Sequence, residues 1–305
     1  MKLIKRIAIY AAVLVTGALM TVSCRRLPIH EPFSSYYLVL EGDYKGLHIN
    51  PTVPGMYEAV FYDIYTHEEV GQSYLGTEGG YIYGLRPGKT YEMIVYSFDS
   101  GNTQVSDLRS FPTALASTGG SSSTYMSSYN APDHLMVARD TALTLPFLYD
   151  SFETEYLYAY PKSVCDTWCI IVTGIKGLQY ATSMEFFVSG QSKSNNIGPN
   201  EPSTREMTIN FPAKLDMVNN RIYTPFCTFG KIPGKVSELR LVITDGNEKT
   251  IVCKADVTGQ FDDPENTGHW IILDFSGTEI EEKKDGGFTP VVDPWGGNEF
   301  FYDLS

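Results

Sequence analysis

The chain has 305 residues, of which 43% are hydrophobic and 19% are charged, with 23 Lys and Arg residues against 36 Asp and Glu residues. This apolar content excludes a disordered chain, and the net charge of −13 disfavours binding to the phosphate backbone of nucleic acids. The 21 Tyr, 27 Gly and 17 Pro residues favour short strands separated by turns. We therefore predict an all-β protein, and the length favours two domains.

The first 23 residues have the features of a secretory signal peptide. Two lysines and one arginine in the first six residues precede the apolar stretch 7–20, which is too short for a comfortable membrane span. Residues 21–24, Thr-Val-Ser-Cys, resemble a bacterial lipobox, although Thr21 stands where Leu is usual. In a lipobox the cysteine receives lipid, including palmitate, and becomes the first mature residue. We expect Cys24 to hold an otherwise soluble chain to a membrane; an ordinary cleaved signal with a chance cysteine is the alternative.

Strand-length segments separated by turns begin at Ser35. The first predicted strands are 36–41 and 56–65, and a third follows the turn Leu-Arg-Pro-Gly-Lys-Thr-Tyr at 85–91. A proline that fixes φ next to a glycine that allows positive φ is typical of chain reversals in β-sandwiches.

The chain changes character between residues 111 and 130. The Ser, Thr and Gly residues of 117–124 cannot bury a core, so this stretch is either a linker or a long surface loop. Because strand patterns resume on both sides of Thr141, we place a domain boundary there. The predicted division is a signal peptide 1–23, a tether 24–34, an N-terminal β-sandwich domain 35–141, a C-terminal β-sandwich domain 142–280 and a tail 281–305.

The second half is more regular. The stretch 164–172 alternates, which places Trp168 and Ile170 on one face and Cys165 and Cys169 on the other. Asp245-Gly246-Asn247 indicates a hairpin turn. Further predicted strands are 180–189, 207–211, 222–229, 238–244, 250–257 and 269–275.

Several motifs in this order resemble the fimbrillin-like lipoproteins of Bacteroidetes, specifically a family catalogued as a domain of unknown function. The resemblance implies two tandem transthyretin-like (Greek-key) β-sandwich domains in a cell-envelope lipoprotein related to fimbrial anchor and accessory subunits. It spans nearly the whole mature chain and carries over no functional residues. The motifs are Cys-Arg-Arg-Leu-Pro at 24–28, Pro-Gly-Met at 54–56 before Ala-Val-Phe-Tyr at 59–62, the turn 85–91, Thr-Gly-Ile-Lys-Gly-Leu at 173–178, Val-Ser-Gly-Gln-Ser at 188–192, Phe-Cys-Thr-Phe-Gly at 226–230, and Gly-Gly-Phe-Thr-Pro-Val-Val-Asp-Pro-Trp at 286–295.

The positions of arginine bear on the role within such a family. Polymerising stalk subunits of this type are matured by an arginine-specific protease that removes the first strand and opens a groove for a neighbour's strand. This chain has no arginine between Arg26 and Arg86, and Arg86 precedes Pro87, which makes a poor cleavage site. We therefore expect the chain to keep its N-terminal strand and its lipid, as an outer-membrane anchor or accessory subunit would. Arg25 and Arg26 differ from the acidic surface-export signals of Bacteroidetes lipoproteins, which leaves surface exposure open.

The remaining cysteines offer limited chemistry. Cys165 and Cys169 lie four residues apart on one strand, about 13 Å at the usual rise of a strand, and cannot pair with each other. Bridges to Cys227 or Cys253 and buried free thiols are both open.

We predict neither an enzyme nor a cofactor or metal site. The five histidines are scattered as surface or core residues, and no nucleophile, phosphate-loop or dinucleotide motif occurs. The acidic stretch 262–266 is interpreted as a solvated turn, with calcium as the alternative.

We predict a lipid-anchored fimbrium anchor or accessory adhesion subunit that binds other envelope proteins through strand contacts. The alternative is a surface glycan-binding lipoprotein, which needs exposed, coplanar aromatic rings on one face. Asp-Thr-Ala at 140–142 resembles a Bacteroidetes O-glycosylation acceptor, which makes Thr141 a candidate. The candidates for a donated or accepted strand in the tail are Phe300, Phe301, Tyr302 and Leu304.

Overall fold

The computed structural model describes residues 35–44, 53–97, 101–148 and 154–282. Among these residues, eleven strands precede residue 164, and a single 3₁₀ turn at Phe111–Thr113 interrupts them. The strands are β1 (Ser35–Leu40), β2 (Met56–Asp63), β3 (Glu69–Gly76), β4 (Gly79–Ile82), β5 (Thr90–Ser97), β6 (Thr103–Ser106), β7 (Leu115–Thr118), β8 (Tyr129–Asn130), β9 (Met136–Thr144), β10 (Thr154–Ala159) and β11 (Lys162–Ser163).

Ten more strands and one short helix, α1 (Thr258–Asp262), follow in the second half, with a 3₁₀ turn at Leu178–Tyr180. The strands are β12 (Asp166–Thr173), β13 (Ala181–Ser192), β14 (Ser194–Asn196), β15 (Glu201–Pro202), β16 (Glu206–Pro212), β17 (Leu215–Asp216), β18 (Arg221–Thr228), β19 (Glu238–Asp245), β20 (Thr250–Asp256) and β21 (Trp270–Asp274). Among the described residues, no helix has the length and apolarity needed to cross a membrane.

The first sheet curls around its own core. Its strand order is β10-β1-β4-β3-β2-β5-β9-β11, and Lys162 bridges Asp43 on one side and Val137 on the other, so the two ends of the sheet meet. Alternation along β1 turns Leu38 into this barrel, where it is fully buried, and turns Tyr37 outward. The apolar side chains inside the barrel form one of two core clusters.

The second half forms a sandwich of two sheets. One sheet has the order β17-β18-β12-β21 and the other the order β20-β19-β13-β16-β8. Trp168 and Ile170 face the space between them, as the alternation predicts. Cys165 lies in the same cluster, against prediction, because β12 starts only at Asp166 and Cys165 belongs to a turn in which its N–H donates to the Ser163 hydroxyl.

A small third sheet joins the two halves. Its order, β15-β14-β7-β6, combines strands from both sides of the predicted boundary. The larger core cluster continues from Val60 and Ile94 on the outer face of the barrel, through Ala116 and Ile197, into the sandwich. Burying these side chains on both sides couples the halves through one apolar core.

The all-β sandwich class predicted from the sequence is confirmed by this architecture. The division into domains 35–141 and 142–280 stays a prediction. The boundary at Thr141 falls inside β9, and β10 and β11 pair within the first sheet, so pairing in the barrel continues to Ser163.

Candidate functional site

Strand β20 is the longest strand at the edge of a described sheet, and β19 is its one neighbour. The Asp245 N–H donates to the Lys249 carbonyl, and the Val257 N–H donates to the Ser237 carbonyl. Because the hydrogen-bonded pairs of an antiparallel ladder alternate, residues 251, 253 and 255 pair with β19. The N–H and C=O groups of residues 250, 252 and 254 therefore point away from the sheet.

The same strand is held firmly by its side chains. Ile251, Cys253 and Ala255 pack into the large core cluster, while Lys254 is exposed. Lys254 is the one charged side chain between Thr250 and Ala255. A row of outward peptide groups on a well-anchored strand is the geometry to which another chain adds a strand.

Strand β21, on the opposite sheet, has its outer edge covered. The Ile272 N–H donates to Gln260 Oε1 at 2.7 Å, and Gln260 Nε2 donates to the Ile272 carbonyl at 3.4 Å. The Trp270 N–H donates to Asn266 Oδ1 at 3.0 Å, and Asn266 Nδ2 donates to the Trp270 carbonyl at 2.7 Å. Each side-chain amide thus takes the place of one peptide group of a neighbouring strand.

Helix α1, which carries Gln260, is fixed from two sides. The Phe261 ring packs on Trp168 with ring centroids 4.4 Å apart. The His269 ring also stacks on Trp168, with ring centroids 4.5 Å apart. Lys231 Nζ lies 2.8 and 2.9 Å from the two carboxylate oxygens of Asp262. The residues that cover β21 are therefore held in place by packing and by an ion pair.

The acidic stretch 262–266 is accounted for by these contacts. Asp262 pairs with Lys231, Asp263 Oδ1 accepts the N–H of Glu265, and Asn266 holds Trp270. The stretch forms a turn at residues 264–265, and the calcium alternative stays untested. Among the described residues, no group of three His, Cys, Asp or Glu side chains is placed to hold a metal ion.

The described chain ends beside the β19–β20 hairpin. Asn247 Nδ2 donates to the Glu282 carbonyl at 3.2 Å, and Lys249 Nζ lies 3.5 Å from Glu281 Oε1. The tail candidates Phe300, Phe301, Tyr302 and Leu304 lie outside the described residues, as do the signal peptide, Cys24 and the tether 24–34.

The four cysteines of the described chain, Cys165, Cys169, Cys227 and Cys253, are free and buried, which resolves the open disulfide question in favour of thiols. Burial raises the pKa of Cys227 to about 12, and it also raises the pKa values of Cys165 and Cys169. Such thiols stay protonated at neutral pH and are poor nucleophiles.

The histidines within the described residues have local structural partners. His67 Nδ1 lies 2.7 Å from Glu92 Oε2, and His134 Nδ1 lies 3.1 Å from the Ser163 hydroxyl. His269 Nδ1 lies 3.0 Å from the carbonyl oxygen of Thr167. His30 and His48 lie outside the described residues.

The glycosylation candidate, Thr141, is exposed on β9. Asp140 Oδ1 accepts the N–H of Ala142 at 2.8 Å and so holds the local backbone. The acceptor side chain is therefore accessible on an ordered strand.

Tyrosines gather on the outer face of the barrel where β10, β1 and β4 lie side by side. Tyr37 pairs in register with both Tyr156 and Tyr81, with ring centroids 5.8 and 5.1 Å apart. Tyr83 lies 6.3 Å from Tyr81, and Tyr158 is two residues along β10 from Tyr156. These five residues are called the tyrosine face below. Their rings are tilted or perpendicular rather than coplanar, at 50° and 87° for the two pairs with Tyr37.

Comparison with solved structures relates the fold to known proteins. The chain is similar to a candidate adhesin from Bacteroides ovatus, with a TM-score of 0.60 and 19% identity over 83% of this chain and 94% of that chain. A second candidate adhesin from Bacteroides ovatus gives a TM-score of 0.52 and 12% identity over 86% and 93%. The fimbrial anchor protein Mfa2 from Porphyromonas gingivalis gives 0.50 and 11% over 79% and 88%.

These structures confirm, at the level of the fold, the resemblance to fimbrillin-like proteins predicted from the sequence. No family model matches the chain, and no curated protein matches it in sequence.

Proposed function

We propose that this protein is a lipid-anchored fimbrium anchor or accessory adhesion subunit that acts through strand contacts and performs no catalysis. The support from comparison is a fold shared over most of the chain with candidate adhesins and a fimbrial anchor protein. The observation that carries the proposal is a contrast between two edge strands on opposite sheets. The edge of β20, seven residues long, is open among the described residues, whereas the edge of β21 is covered. One edge accepts a strand and the other does not.

The partner that this edge fits is an extended segment of another envelope protein, such as a second fimbrial subunit. Main-chain groups of residues 250, 252 and 254 supply the hydrogen bonds, and outward side chains such as Val252 supply contact area. Cys24 holds the chain to the outer membrane through its lipid. The described chain ends beside the β19–β20 hairpin, and the tail that carries Phe300 to Leu304 continues from there in the sequence.

The test is capture of partners from the native membrane. The tagged, lipidated chain is purified without boiling, and the proteins that remain bound are identified by mass spectrometry. Lys254→Pro removes one outward N–H without touching the β19 ladder, whereas Lys254→Ala keeps that N–H. We expect a series of fimbrial subunits with the unchanged chain and Lys254→Ala, and loss of that series with Lys254→Pro. A lone monomer in every case would contradict the proposal.

The tail and the tether have separate tests. Deletion of residues 299–305 is expected to abolish capture while leaving the melting temperature unchanged, because it removes no residue of the two described core clusters. Unchanged capture would refute the role of the tail. The mature protein is expected to start at Cys24, and a start well after that residue would refute retention of the N-terminal strand and its lipid.

A further inference from the structure

The tyrosine face is exposed to solvent rather than packed. Tyr81, Tyr83, Tyr156 and Tyr158 are 45%, 65%, 56% and 55% exposed, whereas a strand tyrosine facing the barrel interior, Tyr36, is 2% exposed. Monomeric proteins seldom expose several large rings side by side without a use for them. This surface lies on the first sheet, apart from the edge of β20 in the other half of the chain.

The face carries no charge. The outward positions of β1, β4 and β10 hold Tyr, Ser, Thr, Val and Gly. Glu155 lies on β10 but is in register with the inward Tyr36. Other charged side chains lie beyond the outward positions, at Glu78, at Glu41 and at the Lys162–Asp43 pair. The chain as a whole carries −13, so its field repels an acidic polymer. The outward positions offer no ion pair to a charged ligand and the net charge repels an acidic one, so an uncharged ligand fits this face.

The chemistry of the face selects among uncharged ligands. A tyrosine ring presents a negative face, which attracts the C–H groups on the flat side of a sugar ring, and its hydroxyl can bond the sugar hydroxyls. Further hydroxyls border the row, where Ser35 and Thr154 lie 2.9 Å apart. Insertion into a bilayer would favour Trp, Phe or Leu at these positions, and they are absent from the outward positions of β1, β4 and β10.

The backbone beneath Tyr37 and Tyr81 is already paired. Strand β1 lies between β10 and β4, and β4 lies between β1 and β3, so neither offers free peptide groups to an added strand, whereas β10 is the outer strand of the described sheet. Recognition at Tyr37 and Tyr81 must therefore come from the side chains.

We infer that the tyrosine face binds an uncharged polysaccharide. Because the Tyr156 and Tyr81 rings lie at 50° and 87° to the Tyr37 ring, the sugar rings that stack on them are turned relative to one another, as in a twisted chain, and do not lie on one flat platform of coplanar rings. Ring centroids 5.1 to 6.3 Å apart let one chain of sugars contact several tyrosines at once. Each contact is weak, and the contacts add through the connected ligand. This site is distinct from the proposed strand edge and does not depend on it.

The test is affinity electrophoresis of the mature chain in gels containing dextran, α-mannan or arabinoxylan, with polygalacturonate as an acidic control. We expect at least one neutral polymer to retard the protein. The double variant Tyr81→Ala/Tyr156→Ala is expected to raise the dissociation constant about tenfold or more, which is the effect that loss of an aromatic stacking partner has on the binding of nucleobases. Tyr65→Ala removes a ring that is 90% exposed outside the face and is expected to change it less than about twofold.

The outcomes separate this inference from its competitors. Equal melting temperatures for the double variant and the unchanged chain show that the fold is intact. No retardation by any neutral polymer would overturn the inference, as would retardation by polygalacturonate alone. Binding to phosphatidylcholine vesicles or to a protein that the double variant abolishes, without polysaccharide binding, would also overturn it. Lys254→Pro is expected to retain polysaccharide binding, which keeps this result independent of the strand-edge proposal.

Discussion

The two edge strands β20 and β21 of the C-terminal sandwich differ in what bonds their outward peptide groups. Both leave peptide groups pointing out of their sheets. On β21 the side-chain amides of Gln260 and Asn266 bond those groups, and on β20 the corresponding groups at residues 250, 252 and 254 face outward. An uncovered edge is a hazard for aggregation. Among the described residues β21 is covered and β20 is not, and this difference supports the proposal that β20 receives a strand.

The cover also shows what an edge needs in order to be closed. Two side-chain amides are enough to bond the outward peptide groups of two strand residues. The amides must be held in place, because water and other strands compete for the same peptide groups. Here Trp168 packs under Phe261, and Lys231 fixes Asp262, so α1 cannot drift from the edge. Variants that remove parts of this support should uncover the β21 edge. Their loss of unfolding free energy should increase with the amount of packing removed.

The largest effect is expected from Trp168→Ala, which removes the ring that supports Phe261 and His269. Loss of a buried tryptophan lowers the free energy of unfolding by about 3–5 kcal/mol. Urea unfolding followed by circular dichroism measures it. Ile272→Ala is the control, because its side chain is exposed on the same edge, and it should cost less than about 0.5 kcal/mol. A Trp168→Ala protein as stable as the control would show that the cover needs no core support.

The next effect is expected from the double variant Gln260→Ala/Asn266→Ala. It removes the side-chain partners of the Trp270 and Ile272 peptide groups, which costs about 1–3 kcal/mol of unfolding free energy, and it opens the β21 edge. The variant should associate with itself as its concentration rises, measured by sedimentation velocity. Gln104→Ala removes an exposed amide from the edge strand β6 and should stay monomeric. A double variant that sediments as a monomer at every concentration would contradict the covering role.

A smaller effect is expected from Lys231→Met, which removes the ion pair with Asp262. The lysine side chain is 7% exposed but the aspartate is half exposed, so solvent screens the pair and its loss should cost up to about 1 kcal/mol. The difference should shrink in 1 M salt. Lys254→Met, on the open edge, should leave stability unchanged. An equal loss from both variants would remove the distinction between the two edges.

The smallest effect is expected from acid. The Thr258 side-chain and backbone groups donate to Asp256 just before α1, and these bonds lower the pKa of Asp256 below its ordinary value of 3.8. A lowered pKa in the folded state means that this contribution to stability is present above the ordinary value and is lost as the pH falls through the folded value. The melting temperature of Asp256→Asn should therefore fall less between pH 5 and pH 2 than that of the unchanged chain. Parallel curves would contradict this role.

Much of the C-terminal sandwich could be predicted from its sequence because its strands are long and rich in alternating apolar residues. The strands β12, β18, β19, β20 and β21 lie within a few residues of their predicted positions. Strand β3, Glu-Val-Gly-Gln-Ser-Tyr-Leu-Gly, was not predicted, because only Ser73 and Leu75 of it are buried and it carries little periodic signal. The strands of the small third sheet are two to four residues long, which is below the length at which periodicity can be recognised.

The surfaces to which we assign functions were harder to predict for a different reason. The sequence indicates abundant tyrosines but not that Tyr156, Tyr37 and Tyr81 share a row, because that row depends on pairing between β1 and β10. The roles of Gln260 and Asn266 depend on where α1 packs, so their stretch could be interpreted only as a solvated turn or a calcium loop. A single side chain that bonds a distant backbone group produces no periodic pattern in the sequence from which its role could be predicted.

The parallel pairing of β1 with β10 has a consequence for the order in which the protein folds. Ser35 and Thr154, which meet at the start of these strands, are separated by 119 residues. Closing so long a loop costs entropy before any contact repays it, and distant pairings of this kind slow folding. Strand β1 therefore cannot pair with β10 until about half of the chain has been synthesised. The barrel begins first in the sequence, but its closure depends on a strand from the middle of the chain.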